Sequence, residues 1–380
     1  MSSKNTIVKM HFYEVIVKCH KGVINSTSLS KPLHKLPVEG QPGWSVQFDD
    51  LPKLILLLTL SDGTIGLGEF YRDHDWTKIK SMANILLNKT LDEFPLQNIP
   101  IARCREYDGF ECAIWDAYAK SKHLRLVDLI GGPLRNNIKV SAWSSHRDLS
   151  EIGPLAKKYE NMGYDTLKLK CDLNDDVVKW CKEIKQYSTD LKIILDPNER
   201  WKNSSFAKPI LKSLESVGNV LLVEDPIPRW MWHEYAALKK ISSIPLVLHI
   251  SLPYAQQAQS IHDSINALRH GSVDGFNFNG GIDSFMQLDA VAAAAGVNCW
   301  HGSEIDLGIL EAMYVHTACA AKSCIWPSDV FGRLLRQSDL LKIPLRLEPP
   351  YAYLPEGLGL GIELDWDAIN LYKQSELVVQ

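Results

Sequence analysis

The chain has 380 residues, 46% hydrophobic and 23% charged, with a formal net charge of -4. These are ordinary values for a folded globular protein, and at roughly 150 residues per domain the length predicts two or three domains. A slightly acidic balance without any Lys/Arg-rich block excludes nucleic acid recognised by phosphate neutralisation. Apolar runs such as Leu54 to Leu58 and Val291 to Gly296 are far too short to span a membrane, and no secretory signal opens the chain, so a cytoplasmic location without a membrane partner is expected.

The first hundred residues read as an α+β module. Strand-like Ile7 to Cys19 is succeeded by Leu54 to Leu60, a Ser61-Asp62-Gly63 turn and Ile65 to Phe70, which implies antiparallel pairing. Between them, about Lys21 to Pro52 is polar and rich in Gly and Pro, a connection long enough to carry function. Apolar residues then recur at helical spacing from Ile101 to Lys120, and Gly131-Gly132-Pro133 ends the helical region. The eight cysteines form no Cys-x-x-Cys pair and read as reduced, mostly buried thiols.

After Asn136 short apolar runs alternate with helix-length segments. The strand cores are Val140 to Trp143, Thr166 to Cys171, Lys192 to Asp196, Val220 to Glu224, Pro245 to Ile250, Gly275 to Asn279, Val297 to His301 and Ser323 to Trp326. The repeat, roughly 25 to 30 residues, fits a (β/α)7β TIM-like barrel of about 250 residues. A doubly wound sheet would need a glycine-rich turn after its first strand, and none is present. Gly357 to Gly361 is glycine-rich but lacks a preceding βαβ unit and reads as a turn. The expected division is an α+β capping segment over 1–135, a barrel over 136–344 and a tail over 345–380 that returns to the cap.

Barrel enzymes place their chemistry at the C-terminal ends of the strands. Here those ends read Lys168-Leu169-Lys170, Asp196 with Asn198, Glu224-Asp225-Pro226, His249-Ile250-Ser251, Asn277-Phe278-Asn279 and Trp300-His301-Gly302. Alternation along a strand sends Lys168 and Lys170 the same way, and two crowded ammonium groups are expected to lower an amine toward the range of a general base. Carboxylates on the next two strands balance that charge and suit a hard divalent cation. Read in isolation, the pair is also consistent with two surface lysines, and His301 with a satisfied core histidine.

The order Lys-x-Lys, Asp-x-Asn, Glu-Asp-Pro on consecutive strands resembles the mandelate racemase and muconate lactonizing branch of the enolase superfamily. Asp62-Gly63 to Glu69, Ala113 to Asp116, Leu129 to Gly132, Gly280-Gly281-Ile282 and Pro355 to Gly359 extend the likeness along the chain. The resemblance implies abstraction of the proton α to a substrate carboxylate, with a divalent metal stabilising the enediolate. It implies Lys170 as base, Lys168 as its support, Asp196 and Glu224 as ligands of one metal ion, magnesium first, and His301 as acid or base on the opposite face. A small carboxylate partner and a homo-oligomer are implied by the same likeness.

Two positions depart from that pattern. The family's third acidic ligand falls where this chain has Ile250, and His249 one residue earlier is the substitute, a nitrogen donor that favours manganese, iron or zinc over magnesium. If Ile250 faces the mouth instead, two carboxylates remain. On strand six, Asn279 stands where relatives carry a lysine base or an aspartate, so it is expected to orient His301 as a proton donor. The reading is therefore a carbon-oxygen lyase dehydrating an acid sugar to a 2-keto-3-deoxy acid, with a racemase or epimerase as alternative and a catalytically silent acid-binding relative as a third. Asn198, Glu304, Asp306, Asp329, His20 and Trp143 are substrate-contact candidates, with Lys21, His34 and Trp44 nearby in the cap and Trp300 as mouth or core aromatic.

Overall fold

The computed structural model describes residues 5–24, 50–72, 74–250 and 257–380. The strands Ile7–Lys18, Asp50–Leu60 and Ile65–Phe70 form one antiparallel sheet, joined at its free edge by the last strand, Lys373–Val379. Asp50–Leu60 begins inside the stretch read as a connection, and most of that stretch, with His34 and Trp44, lies outside the described residues. The helix Tyr107–Ser121 begins later than the pattern predicts and lies flush on Ile65–Phe70. That close approach explains two glycines: a Cβ on Gly66 would collide with the Ala113 carbonyl, and one on Gly68 with the Gly109 carbonyl.

Seven parallel strands come next in sequential order: Ala142–Ser144, Thr166–Lys170, Lys192–Asp196, Val220–Glu224, Leu246–Ile250, Gly275–Phe278 and Asn298–His301. The eighth place is a correction to the expected strand. Residues 323–328 there make only single bridges, Cys299 with Cys324 and Val140 with Ser328. Pro327 has no amide proton to extend a ladder at this point, and the two bridges tie this segment to Cys299 in the seventh strand and to Val140 just before the first. The tail first adds a hairpin, Leu347–Glu348 and Tyr351–Tyr353, to Asn137–Lys139, then passes the cap, where Leu360 N–H donates to Asp116 at 2.7 Å.

Alternation along the strands sorts side chains between two cores. Outward residues such as Leu167, Leu169, Ile193, Leu195, Leu248 and Phe278 join the large cluster under the helices. Inward Ile194, Leu222, Val247 and Trp300 form a separate plug within the ring. Two residues further along three of these strands, on the same side, stand Asp196, Glu224 and His249, so the plug is the floor of whatever occupies the mouth. All eight cysteines are free. No helix among the described residues is long and apolar enough to cross a membrane.

The glycine contact gives a test of this packing. Gly66→Ala is expected to cost about 2 to 4 kcal/mol, the range of severe overpacking against backbone. Gly63→Ala, in open space at φ 90°, pays only backbone strain of about 1 to 2 kcal/mol. Urea denaturation of both variants checks the order; equal losses would contradict the flush helix.

Candidate active site

The ladder Lys170↔Asp196 sets the first two strand ends side by side, and Lys168 lies beside Ile194 on the lumen side. From there the Lys168 ammonium reaches Glu224 Oε2 at 2.7 Å, Asp329 Oδ2 at 2.9 Å and Asp196 Oδ2 at 3.6 Å. It also lies over the Trp300 ring, 5.5 Å from its centre. Lys170 donates to Asp196 Oδ2 and, at 2.8 Å, to Asn198 Oδ1, while the Asn198 amide N–H donates to Asp196 Oδ1 at 3.1 Å. Glu224 Oε1 accepts from Asn277 Nδ2 at 2.8 Å.

Each charge is perturbed by this company. Burial alone would lower the Lys168 ammonium, but Asp329, Glu224 and Asp196 outweigh it and hold it well above its ordinary value. The expectation that two crowded lysines depress each other is thus reversed for Lys168, because carboxylates rather than the second amine are its nearest neighbours. Burial likewise opposes the ionised Asp196, and Lys170 and Lys168 overcome it, holding that carboxyl below the usual range. Glu224 goes the other way: burial, then the Asp196 charge, push it up to about 8.

His249 projects into the ring and Ile250 into the outer core. An isoleucine facing the mouth is therefore excluded. The imidazole Nε2–H donates to Asn279 Oδ1 at 3.0 Å, and Nδ1, buried and without a hydrogen bond, lies 3.3 Å from Glu224 Oε1. Burial, then Arg229, Lys168 and Lys170, lower His249 well below its ordinary value, so it is neutral. Asp196, Glu224 and His249 are the side chains here that could hold a divalent cation. Among the described residues no three His, Cys, Asp or Glu side chains are arranged to hold a metal ion.

His301 departs from expectation. Trp300 takes the inward position on the seventh strand, so His301 turns outward, stacked between Phe285 and Tyr314 at 4.1 Å from each ring centre. Its Nδ1 is 2.8 Å from the Gly302 carbonyl, its Nε2 has no hydrogen bond, and burial lowers it to about 4. Asn279 correspondingly orients His249 instead of His301. The strand-six residue facing the lumen is Asn277, which the spacing Phe276-Asn277-Phe278 signals once the aromatic pair is recognised as the buried face.

Among the substrate-contact candidates, Asn198 and Asp329 join the cluster by the contacts above. Trp143 is paired with Lys168 in the ladder and stacks on Phe331 with centres 5.3 Å apart. Glu304 and Asp306 instead tie the barrel to the cap: Arg105 binds Glu304 through both oxygens, and Lys53 pairs with Asp306, which also accepts the Tyr314 hydroxyl at 2.6 Å. His20 is exposed, its backbone N–H bonded to the Leu335 carbonyl.

The Enolase C-terminal domain-like family matches residues 151–368, more than half of the chain. The chain belongs to the enolase superfamily, in its mandelate racemase and muconate lactonizing branch. Its sequence is 28% identical over 351 residues to muconate cycloisomerase 1 of Rhodococcus opacus, covering 85% of this chain and 91% of that one. The fold superposes on the N-succinyl Arg/Lys racemase of Bacillus cereus with a TM-score of 0.82 at 20% identity, covering 99% and 100% of the two chains. It matches a dipeptide epimerase of Cytophaga hutchinsonii, solved with Mg and D-Ala-L-Val, with a TM-score of 0.82 at 17% identity and the same coverage.

The outward His301 has a measurable signature. A histidine lowered to about 4 in the fold and ordinary when unfolded leaves the unfolded state binding more protons between about pH 6.5 and 4, so stability falls as pH falls through that window. The loss reaches about 3 kcal/mol at its acid end. In His301→Phe, urea midpoints should decline less over this range than in the parent; an identical decline would place His301 in contact with solvent.

Proposed function

We propose that this superfamily member is an isomerase acting at the carbon α to the carboxylate of a small acid, with Lys170 as the single proton carrier. The observation that carries the reading is the division of labour between the lysines. Lys168 is held by three carboxylates, whereas Lys170 is partly exposed at the mouth beside Asp196 and Asn198. Lys168 supplies a fixed positive charge near the developing enediolate, and Lys170 takes or returns the α-proton. A divalent cation held by Asp196, Glu224 and His249 would add Lewis-acid stabilisation of that same charge.

Two findings move the reading away from acid-sugar dehydration. The proton donor expected for the departing hydroxide, His301, faces the helices. The three relatives compared with this chain are a cycloisomerase, a racemase and an epimerase. Between isomerisations, the strand-six position is Asn277, whose amide carries no exchangeable acid-base proton near neutral pH. Inversion at carbon asks for a second carrier on the opposite face, so the one-base reaction, with ring closure or opening as in a cycloisomerase, is favoured over racemisation.

Incubation of small carboxylates and diacids with the protein in deuterated buffer separates the readings. A one-base isomerase incorporates deuterium at the α-carbon with retained configuration, a racemase incorporates it with inversion, and a dehydratase releases a 2-keto acid. Lys170→Met is expected to lower incorporation by about 10²- to 10⁴-fold, while His301→Phe stays near the parent rate. Keto acid formation, or a lossless Lys170→Met, would overturn the proposal.

A further inference from the structure

The ring of strands is least continuous at residues 323–328, where single bridges stand in place of a full ladder, and the next residue is the Asp329 that reaches Lys168. One of those bridges pairs two cysteines, Cys299 and Cys324, in parallel register. The Cys299 N–H donates to the Ser323 carbonyl at 2.8 Å and the Ile325 N–H to the Cys299 carbonyl at 3.2 Å, so the two residues stand side by side with their side chains on one face. Trp300 takes the lumen, which sends both thiols outward beneath the helix Ile282–Ala295, whose Asp289 Oδ1 lies 4.0 Å from Cys299 Sγ. Neighbouring strands run about 4.8 Å apart, inside the roughly 4.4 to 6.8 Å of Cα separation that a disulfide spans. The two thiols are hydrogen-bond partners of each other. Burial pushes the Cys299 thiol well up, whereas the hydrogen bond with Cys299 holds Cys324 below its ordinary value against burial, with Ser328 Oγ at 3.6 Å adding to the effect. Cys324 is therefore the better nucleophile of the pair, and Cys299 stands where a resolving thiol has to be.

We infer that Cys299 and Cys324 form a reversible disulfide when the protein meets a hydroperoxide, a redox latch across the seam of the barrel. Both side chains are buried, which excludes bulky oxidants and selects one the size of hydrogen peroxide, admitted by local opening of a seam that has few hydrogen bonds to break. Cys324 sulfur attacks one peroxide oxygen and the O–O bond breaks; the hydroxide that leaves takes up the Cys324 proton as water. Cys299 sulfur then attacks the sulfenic sulfur, the S–O bond breaks, and a second water leaves with the Cys299 proton. Two thiols lose two electrons and the peroxide gains them. The new bond supplies covalently the link that the missing eighth strand does not, five residues from Asp329. The inference is independent of the proposed isomerisation.

The test treats the full reduced chain with hydrogen peroxide, then maps its peptides by mass spectrometry under non-reducing conditions. A peptide pair joined through Cys299 and Cys324, lighter by two hydrogens, is expected, and dithiothreitol should separate it. The joined form should unfold about 3 °C or more above the reduced one, because the link constrains the unfolded chain. In Cys324→Ser peroxide should leave the unfolding temperature unchanged, and in Cys299→Ser Cys324 should take up oxygen without forming a link. Peroxide treatment that leaves both thiols free or carries them to sulfinic acid without a link, a link that does not raise the unfolding temperature, or a rise that persists in Cys324→Ser overturns the inference. Should either variant fail to fold, the linked peptide and the reversible shift of the parent decide alone.

Discussion

The Lys168 ammonium is the point on which the interior of the barrel mouth depends. Three carboxyl groups, Asp196 and Glu224 from strand ends and Asp329 from the segment that stands in the eighth place, converge on one fully buried side chain. Removing such groups from water costs several kcal/mol per ion, and only mutual attraction with good geometry recovers it. The recovery is incomplete: burial, and after it the Asp196 charge, outweigh the two lysines and raise Glu224 to about 8.

The same constraint reaches the cap through a second buried charge set. Lys53 on the cap sheet pairs with Asp306 from the loop after the seventh strand and lies 3.4 Å from Glu69. Glu69 in turn accepts the Leu307 and Leu310 amides at the start of the helix Gly308–Ala320, where the positive end of the helix favours an acid. Glu111 binds the Ile282 and Asp283 amides after the sixth strand at 2.7 and 3.1 Å. Cap and barrel are thus joined by buried acids and their partners at the loops bordering the site.

Much of the site is legible from alternation. Lys-x-Lys, Asp196 and Glu224 are readable because a strand sends every second residue to one side, and the apolar residues between them declare the other side. The departure at His301 is a slip of a single residue. Motif position puts His301 in the lumen, whereas the parity of the neighbouring apolar residues puts Trp300 there, and parity wins; Asn279 keeps the parity of Asn277 and differs from expectation only in its partner, His249. The partners of Glu304 and Asp306 are hidden for another reason: Arg105 and Lys53 lie about 200 or more positions away in sequence, and no local pattern announces such pairs. The missing eighth strand is explained by Pro327, a local signal outweighed by the regularity of the repeat.

Whether one ammonium holds three acids of the barrel mouth together is decided by the pH dependence of stability in Lys168→Met. Without the cation the acids repel and remain buried, so the variant should lose about 3 to 5 kcal/mol at pH 8. Protonation relieves the repulsion, so the loss should shrink on going to pH 5. A variant as stable as the parent at both pH values would mean that the three carboxylates do not converge on Lys168.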